Sequence, residues 1–411
     1  MTDRPVMYPA RFTIFLTVLC AAPVVDRLAG LTEYVTYIGV IYRVLSLVTS
    51  LVVCVGFPRI IALSSRALLV PTIYVIGFFI SSIYGVNPEY SMEYRLMLLP
   101  FVVVDFFQWF LAGLLFNEKS FQKKIYFYAA IYGLLSIIFS LFELIDVDMT
   151  RVIAGPDIPI ALVASIVSYQ GLYSLFLTIV AIGSLKKTVV LCSIGGGFIA
   201  LFLMRLGGVS KGGVNNQFKY SAFLQFAAFA GCVVPFLFVA MPYIDQTILR
   251  LFVEREDVLR DAMFDEFSYL LPMYFPWGSG YYTFGFMTQY TLDYMTVTAD
   301  GREMLGMSLH NTFMHVLLEG GVVVTACFAI LYATAIIYGI RLYRNIETRT
   351  VAILMLSWVL VSLMYGVTNQ LHATRYYFGI LGFCYGVFYR YRRVEFSADS
   401  SSLFSREGIK L

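Results

Sequence analysis

The chain has 411 residues, of which 59% are hydrophobic and only 13% are charged, whereas a soluble domain averages roughly 45–50% apolar and about 25% charged residues. A mean hydropathy of +0.78 therefore excludes a soluble globular enzyme, a disordered protein and a coiled coil, and it indicates a polytopic membrane protein. The net charge of +3, without an Arg/Lys-rich stripe, gives no reason to expect nucleic acid as a partner.

Continuous apolar runs recur along the chain. About 20 mainly apolar residues cross the ~30 Å hydrocarbon layer as a helix, and in lipid a helix pairs every backbone polar group within its own segment. Eleven such spans are predicted, near residues 12–26, 35–57, 67–86, 96–116, 125–145, 158–183, 188–204, 221–246, 309–339, 350–367 and 374–390.

Basic residues give these spans an orientation, because Lys and Arg are enriched in cytoplasmic turns. They precede the first span, mark alternate turns and return around the last spans: Arg4, Arg11, Arg59, Arg66, Lys119, Lys123, Lys124, Lys186, Lys187, Arg341, Arg344, Arg349, Arg390, Arg392 and Arg393. Both termini are therefore expected in the cytoplasm, which requires an even number of crossings rather than eleven.

The stretch 205–246 offers the missing crossing. Its first part, roughly 209–229, contains Lys211, Asn216 and Lys219 and would form a polar helix, which membrane depth tolerates only against protein or water. The alternative is an ordinary polar loop. With the extra crossing, the sequence predicts an all-α polytopic membrane protein of about twelve transmembrane helices.

The predicted spans divide the chain into four parts. About nine spans occupy 1–246, a large periplasmic loop with short helices occupies 247–308, three spans occupy 309–390, and a cytoplasmic tail occupies 391–411. The six cysteines all lie in apolar runs, which favours buried apolar residues over a disulfide framework or a metal site.

The large loop begins with an amphipathic pattern over about 245–264, typical of a helix lying on the outer membrane surface. Arg250, Arg255 and Arg260 stand in it among several acidic residues. For any one of these arginines, a local ion pair on a solvated helix is the alternative to a binding role.

A Gly-x-Gly sequence follows at Gly278 and Gly280. A dinucleotide site would need a buried strand before it and a helix after it, which an extracytoplasmic loop does not provide. The two glycines are expected to form a tight turn or to allow a close backbone approach to a ligand.

His310 and Asn311 precede the next span, and Glu319 follows about 13 Å further along the helix at ~1.5 Å per residue. His315 and Glu319 are four residues apart and share a helix face, so they can hydrogen-bond to each other. An ionisable residue at membrane depth is costly unless it is paired or used, which makes this segment a candidate functional site.

The order of these features resembles the O-antigen polymerase and O-antigen ligase superfamily of membrane glycosyltransferases. The resemblance rests on Arg260, then Pro276, Gly278, Gly280 and Phe284, then His310, Asn311, Glu319 and Gly321, and earlier on Ser210-Lys211-Gly212, where the superfamily carries arginine. It implies a GT-C-like fold and a periplasmic active site in the bacterial inner membrane. Lys211 supplies charge but not the planar fork of an arginine, and Tyr282 stands where a third glycine is common.

The resemblance also implies roles for these residues. Arg260, with Arg255 and Lys211, would bind the diphosphate of an undecaprenyl-diphosphate-linked donor, since arginine pairs two phosphate oxygens at once. His310 would position or deprotonate the acceptor hydroxyl, because histidine exchanges a proton near neutral pH. Asn311 would orient the histidine or contact sugar, and Glu319 is an alternative base. No cofactor or metal is expected.

The expected product is exopolysaccharide, capsule or O-antigen, made from lipid-linked oligosaccharide donor and acceptor, with membrane lipid, a chain-length regulator and a flippase as further candidate partners. Two alternatives stay open: an O-antigen ligase of the same superfamily, and a transporter or flippase for lipid-linked sugar or polysaccharide. Asp105 in the fourth span is the charged residue that a transporter could use.

Two further features have two interpretations each. Arg43, within span two, could bind lipid phosphate or could snorkel or pair between helices. The aromatic residues of the loop, Tyr274, Trp277, Tyr281, Tyr282, Tyr290 and Tyr294, could stack on sugar rings or belong to the interfacial aromatic belt.

Overall fold

Helices make up nearly all of the chain that the computed structural model describes, which is residues 9–29, 35–55, 65–85, 99–115, 118–143, 157–183, 187–207, 264–281, 283–284, 296–297, 303–304, 311–368 and 375–392. The first seven helices are α1 (Pro9–Ala29), α2 (Val35–Cys54), α3 (Leu69–Ile83), α4 (Pro100–Leu114), α5 (Glu118–Glu143), α6 (Asp157–Val167) and α7 (Gly171–Gly183). They are followed by α8 (Lys187–Leu206), α9 (264–274), α10 (Thr312–Tyr343), α11 (Arg349–Thr368) and α12 (380–392), which continues a π-helical turn over Arg375–Gly379.

Three of these helices are long and apolar enough to cross a membrane: Thr188–Leu206, Thr312–Tyr343 and Arg349–Val367. Several shorter helices are also apolar, and large apolar side chains such as Ile41, Leu45 and Val48 point outward from α2. An apolar exterior around a buried core is the arrangement that lipid requires. The described part of the chain therefore supports the predicted all-α membrane protein.

The large loop contains one feature that the all-α prediction did not include. Strand β1 (Thr296–Val297) pairs antiparallel with β2 (Glu303–Met304). The helix expected over 245–264 lies outside the described residues, and the described helix of this loop, α9, begins at residue 264.

The kink at Gly321 and the last residue of α10 define the two ends of the bundle. The chain folds back at the kink, because the rings of Phe313 and Phe328, 15 residues apart, are 6.1 Å from each other, and Arg349 follows the last residue of α10 after a short turn. Helix α3 runs antiparallel to the part of α10 that follows the kink, because Gly77 lies against Val324 and the Ser81 hydroxyl donates to the carbonyl of Glu319. The end of α3 thus lies at the Gly321 end.

Helices α6 and α7 form a hairpin rather than the single predicted span 158–183, so that prediction was wrong. The hydroxyls of Ser165 and Ser174, nine residues apart, are 2.8 Å from each other, whereas a continuous helix would separate them by about 13 Å. The chain reverses at Ser168–Gln170, where Tyr169 has φ 57°. Each helix, with 11 and 13 residues, is short for a crossing.

The hairpin returns the chain to the end of the bundle from which it came. The side chain of Ser168 bonds to Gln122 near the start of α5, the rings of Tyr126 and Tyr173 are 4.6 Å apart, and Val180 lies against Gly133. Helix α7 therefore runs parallel to α5, whereas α6 runs in the opposite direction.

Helix α8 then leads to the Arg349 end. The Arg349 guanidinium donates to the carbonyl of Gly207, and the hydroxyl of Tyr343 donates to the carbonyl of Leu203 at 2.9 Å. The start of α8 at Lys187 is consequently at the other end from Arg349. The prediction that the Lys186–Lys187 turn and the Arg349 turn share one side of the membrane was wrong, because it counted the hairpin as a crossing.

This correction removes the reason for a polar crossing over 209–229. With the chain at the Arg349 end at Gly207, one crossing over 221–246 is enough to reach the large loop on the other side. Both segments lie outside the described residues.

The core of the bundle is aromatic and glycine-rich. Trp358 is fully buried and donates its indole N–H to the carbonyl of Ile160 at 2.9 Å. Helices α4 and α12 touch through their backbones, because a Cβ at Gly382 or Gly386 would overlap a carbonyl oxygen of α4. Five cysteines are described, and all five are buried and free, as the sequence predicted for them.

Candidate functional site at the Gly321 end

Four of the eight predicted site residues belong to the described part of the chain: Gly278, Gly280, Asn311 and Glu319. His310, Arg260, Arg255 and Lys211 lie outside it. The site is therefore built from the loop segment 276–284, the first turns of α10 and the end of α3.

Asn311 is the N-cap of α10. Its backbone is extended, with φ −144° and ψ 112°, and its Oδ1 accepts hydrogen bonds from the backbone N–H of Phe313 at 3.0 Å and of Met314 at 3.2 Å. A side-chain acceptor at this position satisfies donors that the first helical turn leaves open. Asn311 thus fixes where the helix begins, directly after His310 in the chain.

A kink at Gly321 opens α10 for the loop. Gly321 has φ 69° and ψ −168°, outside helical geometry. In a regular helix the N–H of Val322 would bond to the carbonyl of Leu318. Here it donates to the carbonyl of Pro276 at 2.9 Å, which leaves the Leu318 carbonyl open.

The Gly-x-Gly segment satisfies the carbonyls that the kink leaves open. The N–H of Ser279 donates to the Leu318 carbonyl at 2.9 Å, and the N–H of Gly280 donates to the Glu319 carbonyl at 3.1 Å. Gly278 and Gly280 have φ 89° and 103°, and a Cβ at Gly278 would overlap the Glu319 carbonyl. The predicted close backbone approach is confirmed, but the partner is α10 and not a ligand.

Glu319 joins the loop to the helix through its carboxylate. One oxygen, Oε1, accepts from the N–H of Phe284 at 3.0 Å, and Oε2 is 2.6 Å from Nε2 of His315. Both side chains are fully buried. The predicted His315–Glu319 contact is therefore confirmed, and the carboxylate is engaged on both oxygens inside the protein, which favours a positioning role over that of a base.

Helix α3 forms a third wall of the site that the sequence did not reveal. The N–H of Tyr281 donates to the hydroxyl of Ser82 at 2.8 Å, and Gly85 lies so close to Ser279 that a Cβ would overlap its carbonyl. The only local signal is the Ser81-Ser82 pair at the end of an apolar run. That pair does not predict a contact with segment 276–284.

The described loop aromatics do not all fit the two predicted roles. Tyr281 is buried, with its ring 5.0 Å from that of Phe78 in an edge-to-face contact, so it is a core residue and does not stack on sugar. Trp277 is exposed. Tyr282, Tyr290 and Tyr294 lie outside the described residues.

Lys211 lies outside the described residues. Gly207, four residues before it, lies against Tyr343 and Arg349, and the predicted role of Lys211 in diphosphate binding stays a prediction.

The remaining candidates lie in the bundle. The Arg43 guanidinium sits 4.4 Å above the Phe101 ring, a cation–π contact between α2 and α4 that matches the helix-paired alternative. Asp105 is buried on α4. In the described ranges, no group of three or more His, Cys, Asp or Glu side chains could hold a metal.

No protein-family model matches the chain, and no curated protein matches it.

Proposed function

We propose that the protein is a membrane glycosyltransferase that polymerises undecaprenyl-diphosphate-linked oligosaccharide repeats at the periplasmic face of the bacterial inner membrane. The observation that carries the proposal is the packing of segment 276–284 onto the kinked start of α10. Two separate motifs of the resemblance, Gly278–Gly280 and Glu319–Gly321, meet there through backbone hydrogen bonds. A meeting of this kind is expected if the two motifs build one site.

The proposed chemistry is a single glycosyl transfer. The acceptor hydroxyl gives its proton to His310, and its oxygen attacks the anomeric carbon of the donor sugar. The bond from that carbon to the diphosphate oxygen breaks, and undecaprenyl diphosphate leaves with the electron pair. Arg260 and Arg255 balance the charge that develops on the leaving group, which stabilises the transition state more than the ground state.

The described residues would hold this machinery in place. Asn311 fixes the helix start next to His310, and Glu319 with the two glycines fixes the loop on α10. Positioning matters because small displacements of reacting groups reduce rates strongly. The proposed fold is GT-C-like, with ten crossings and the α6–α7 hairpin in place of the twelve spans expected from sequence.

The test is complementation of a deletion strain with Arg260→Ala, His310→Ala and, as a matched loop control, Arg250→Ala. We expect the first two variants to lose about 100-fold or more in polymer formation at normal protein levels, as is typical for an electrostatic or acid–base residue, and the control to make polymer. Normal chain lengths on gels for Arg260→Ala or His310→Ala would remove that residue from the mechanism.

The lipid-linked product in the deletion strain separates the alternatives. A missing polymerase leaves single repeats on the carrier, whereas a missing ligase leaves long chains on it. A transporter would move its substrate in vesicles that contain no glycan donor, which the proposed enzyme would not do.

A further inference from the structure

An exposed aromatic patch lies beside the kink of α10. It consists of Tyr269, Met273, Phe275 and Trp277, and Trp277 is the most exposed of them at 77%. The other side of α9 packs through Phe267 and Leu270 against Leu318 and its neighbours on α10. The aromatic patch therefore does not belong to the packed core between α9 and α10; it is a separate exposed surface.

The length of α10 locates this surface relative to a membrane. Helix α10 folds back at Gly321, because the rings of Phe313 and Phe328 are 6.1 Å apart, so the part that follows the kink is the one that can cross the ~30 Å of hydrocarbon. Its uninterrupted apolar part runs from Gly321 to Ile340, about 20 residues and about 30 Å, and Arg341 follows at the membrane surface. The opposite boundary of the hydrocarbon then falls near Gly321, where Pro276 and Trp277 pack.

The patch continues the lipid-facing side of α10. Val322 and Val323 are exposed at the start of the apolar part, and Ile330 and Ile337 are exposed further along it. The hydrogen bond from Val322 to Pro276 joins this stripe directly to the turn that carries Trp277. Tyr and Trp are the residues that favour the headgroup level of a bilayer.

We propose that α9 and the turn 275–277 lie in the outer lipid interface, with the aromatic patch inserted among the headgroups and the ends of the acyl chains. The partner of this surface is the bilayer itself. Segment 276–284 and the kink are then held at headgroup depth, and the His315–Glu319 pair lies on the part of α10 that folds back from the kink. This proposal does not depend on glycosyl transfer and can fail or hold independently of it.

Tryptophan fluorescence tests the proposal, because the chain has three tryptophans and the other two, Trp109 and Trp358, are buried. The full-length protein is reconstituted in nanodiscs of brominated phosphatidylcholine, and the emission of Trp277→Phe is subtracted from that of the wild type. We expect the Trp277 emission to be blue-shifted, to lose most of its intensity to the brominated lipid and to resist iodide.

A matched pair of new tryptophans makes the test independent of Trp277. In the Trp277→Phe background, Tyr269→Trp and Ser268→Trp replace adjacent exposed residues of α9 that point about 100° apart. Brominated lipid should quench the first and iodide the second. Quenching of Trp277 and of Tyr269→Trp by iodide alone, or protection from both quenchers together with crosslinking of two chains, would each overturn the proposal.

Discussion

The carboxylate of Glu319 and the backbone of Gly321 hold the loop on α10 by different means. Gly321 supplies a left-handed conformation that side chains rarely adopt, and this conformation turns the carbonyls of the helix toward the loop. Glu319 supplies an acceptor for Phe284 and a partner for His315 in the buried space that results. The two residues can be separated by mutation.

Gly321→Ala tests the backbone contribution. An alanine would have to adopt φ 69°, and its Cβ would overlap the carbonyl of Pro276. We expect a loss of about 1–3 kcal/mol in the free energy of unfolding, measured as a lower melting temperature in detergent. The control is Gly171→Ala, where a Cβ meets nothing within 4 Å. An equal melting temperature for the two variants would contradict the assignment.

Glu319→Gln and Glu319→Ala test the side-chain contribution. The glutamine keeps an oxygen for the N–H of Phe284, whereas alanine leaves that donor and His315 without this partner in a buried site. A buried donor left without an acceptor costs about 1–3 kcal/mol, so Glu319→Ala should open the loop to limited proteolysis more than Glu319→Gln. If the two variants are digested at the same rate, Glu319 does not hold the loop.

At the scale of the helices, glycines allow the backbones of α4 and α12 to lie in direct contact. Gly382 and Gly386 face the carbonyls of Phe106 and Phe110, and Gly113 faces the backbone of α12 in return. The spacing of four residues places both α12 glycines on one side of the helix, and small residues of this kind allow helix backbones to meet in a membrane.

Gly386→Ala should therefore force α4 and α12 apart. We expect a lower melting temperature than for Gly366→Ala, because a Cβ at Gly366 meets the far edge of the Phe313 ring at 3.3 Å, a tight contact that a small shift of this side chain relieves, whereas a Cβ at Gly386 meets backbone. Thermal unfolding of both variants in the same detergent measures the difference. A Gly386→Ala protein as stable as Gly366→Ala would show that the backbone contact is not needed.

At the scale of the whole molecule, the topology depends on the end of the bundle at which each turn between helices lies. Because the α6–α7 hairpin does not cross, the structure places the start of α8 and the turn after α10 at opposite ends of the bundle. We predict that Lys187→Cys reacts with a membrane-impermeant maleimide added to intact spheroplasts, and that Ile346→Cys, which is exposed in the turn, reacts only after the membrane is opened.

The five described native cysteines are buried, and the chain without a new cysteine measures the background labelling, including that of Cys232, which lies outside the described residues. Reaction of both new cysteines from the same side would restore the single crossing over 158–183 and contradict the hairpin.

Sequence periodicity and composition determine much of the architecture. Apolar run length located helices α1 to α5, α8 and α10 to α12 to within a few residues, because the cost of unpaired backbone in lipid makes a long apolar run a helix. The contact between His315 and Glu319 also follows from spacing alone, since residues four apart lie on one face of a helix.

The tertiary structure decided features that the length of an apolar run cannot predict. A hairpin of two apolar helices has the same composition as one long span, so only the contact of Ser165 with Ser174 distinguishes them. The glycines of the loop predicted a close backbone approach but not its partner. The partner is a backbone carbonyl that a kink exposes some 40 residues later, and the sequence around the glycines contains no signal for it.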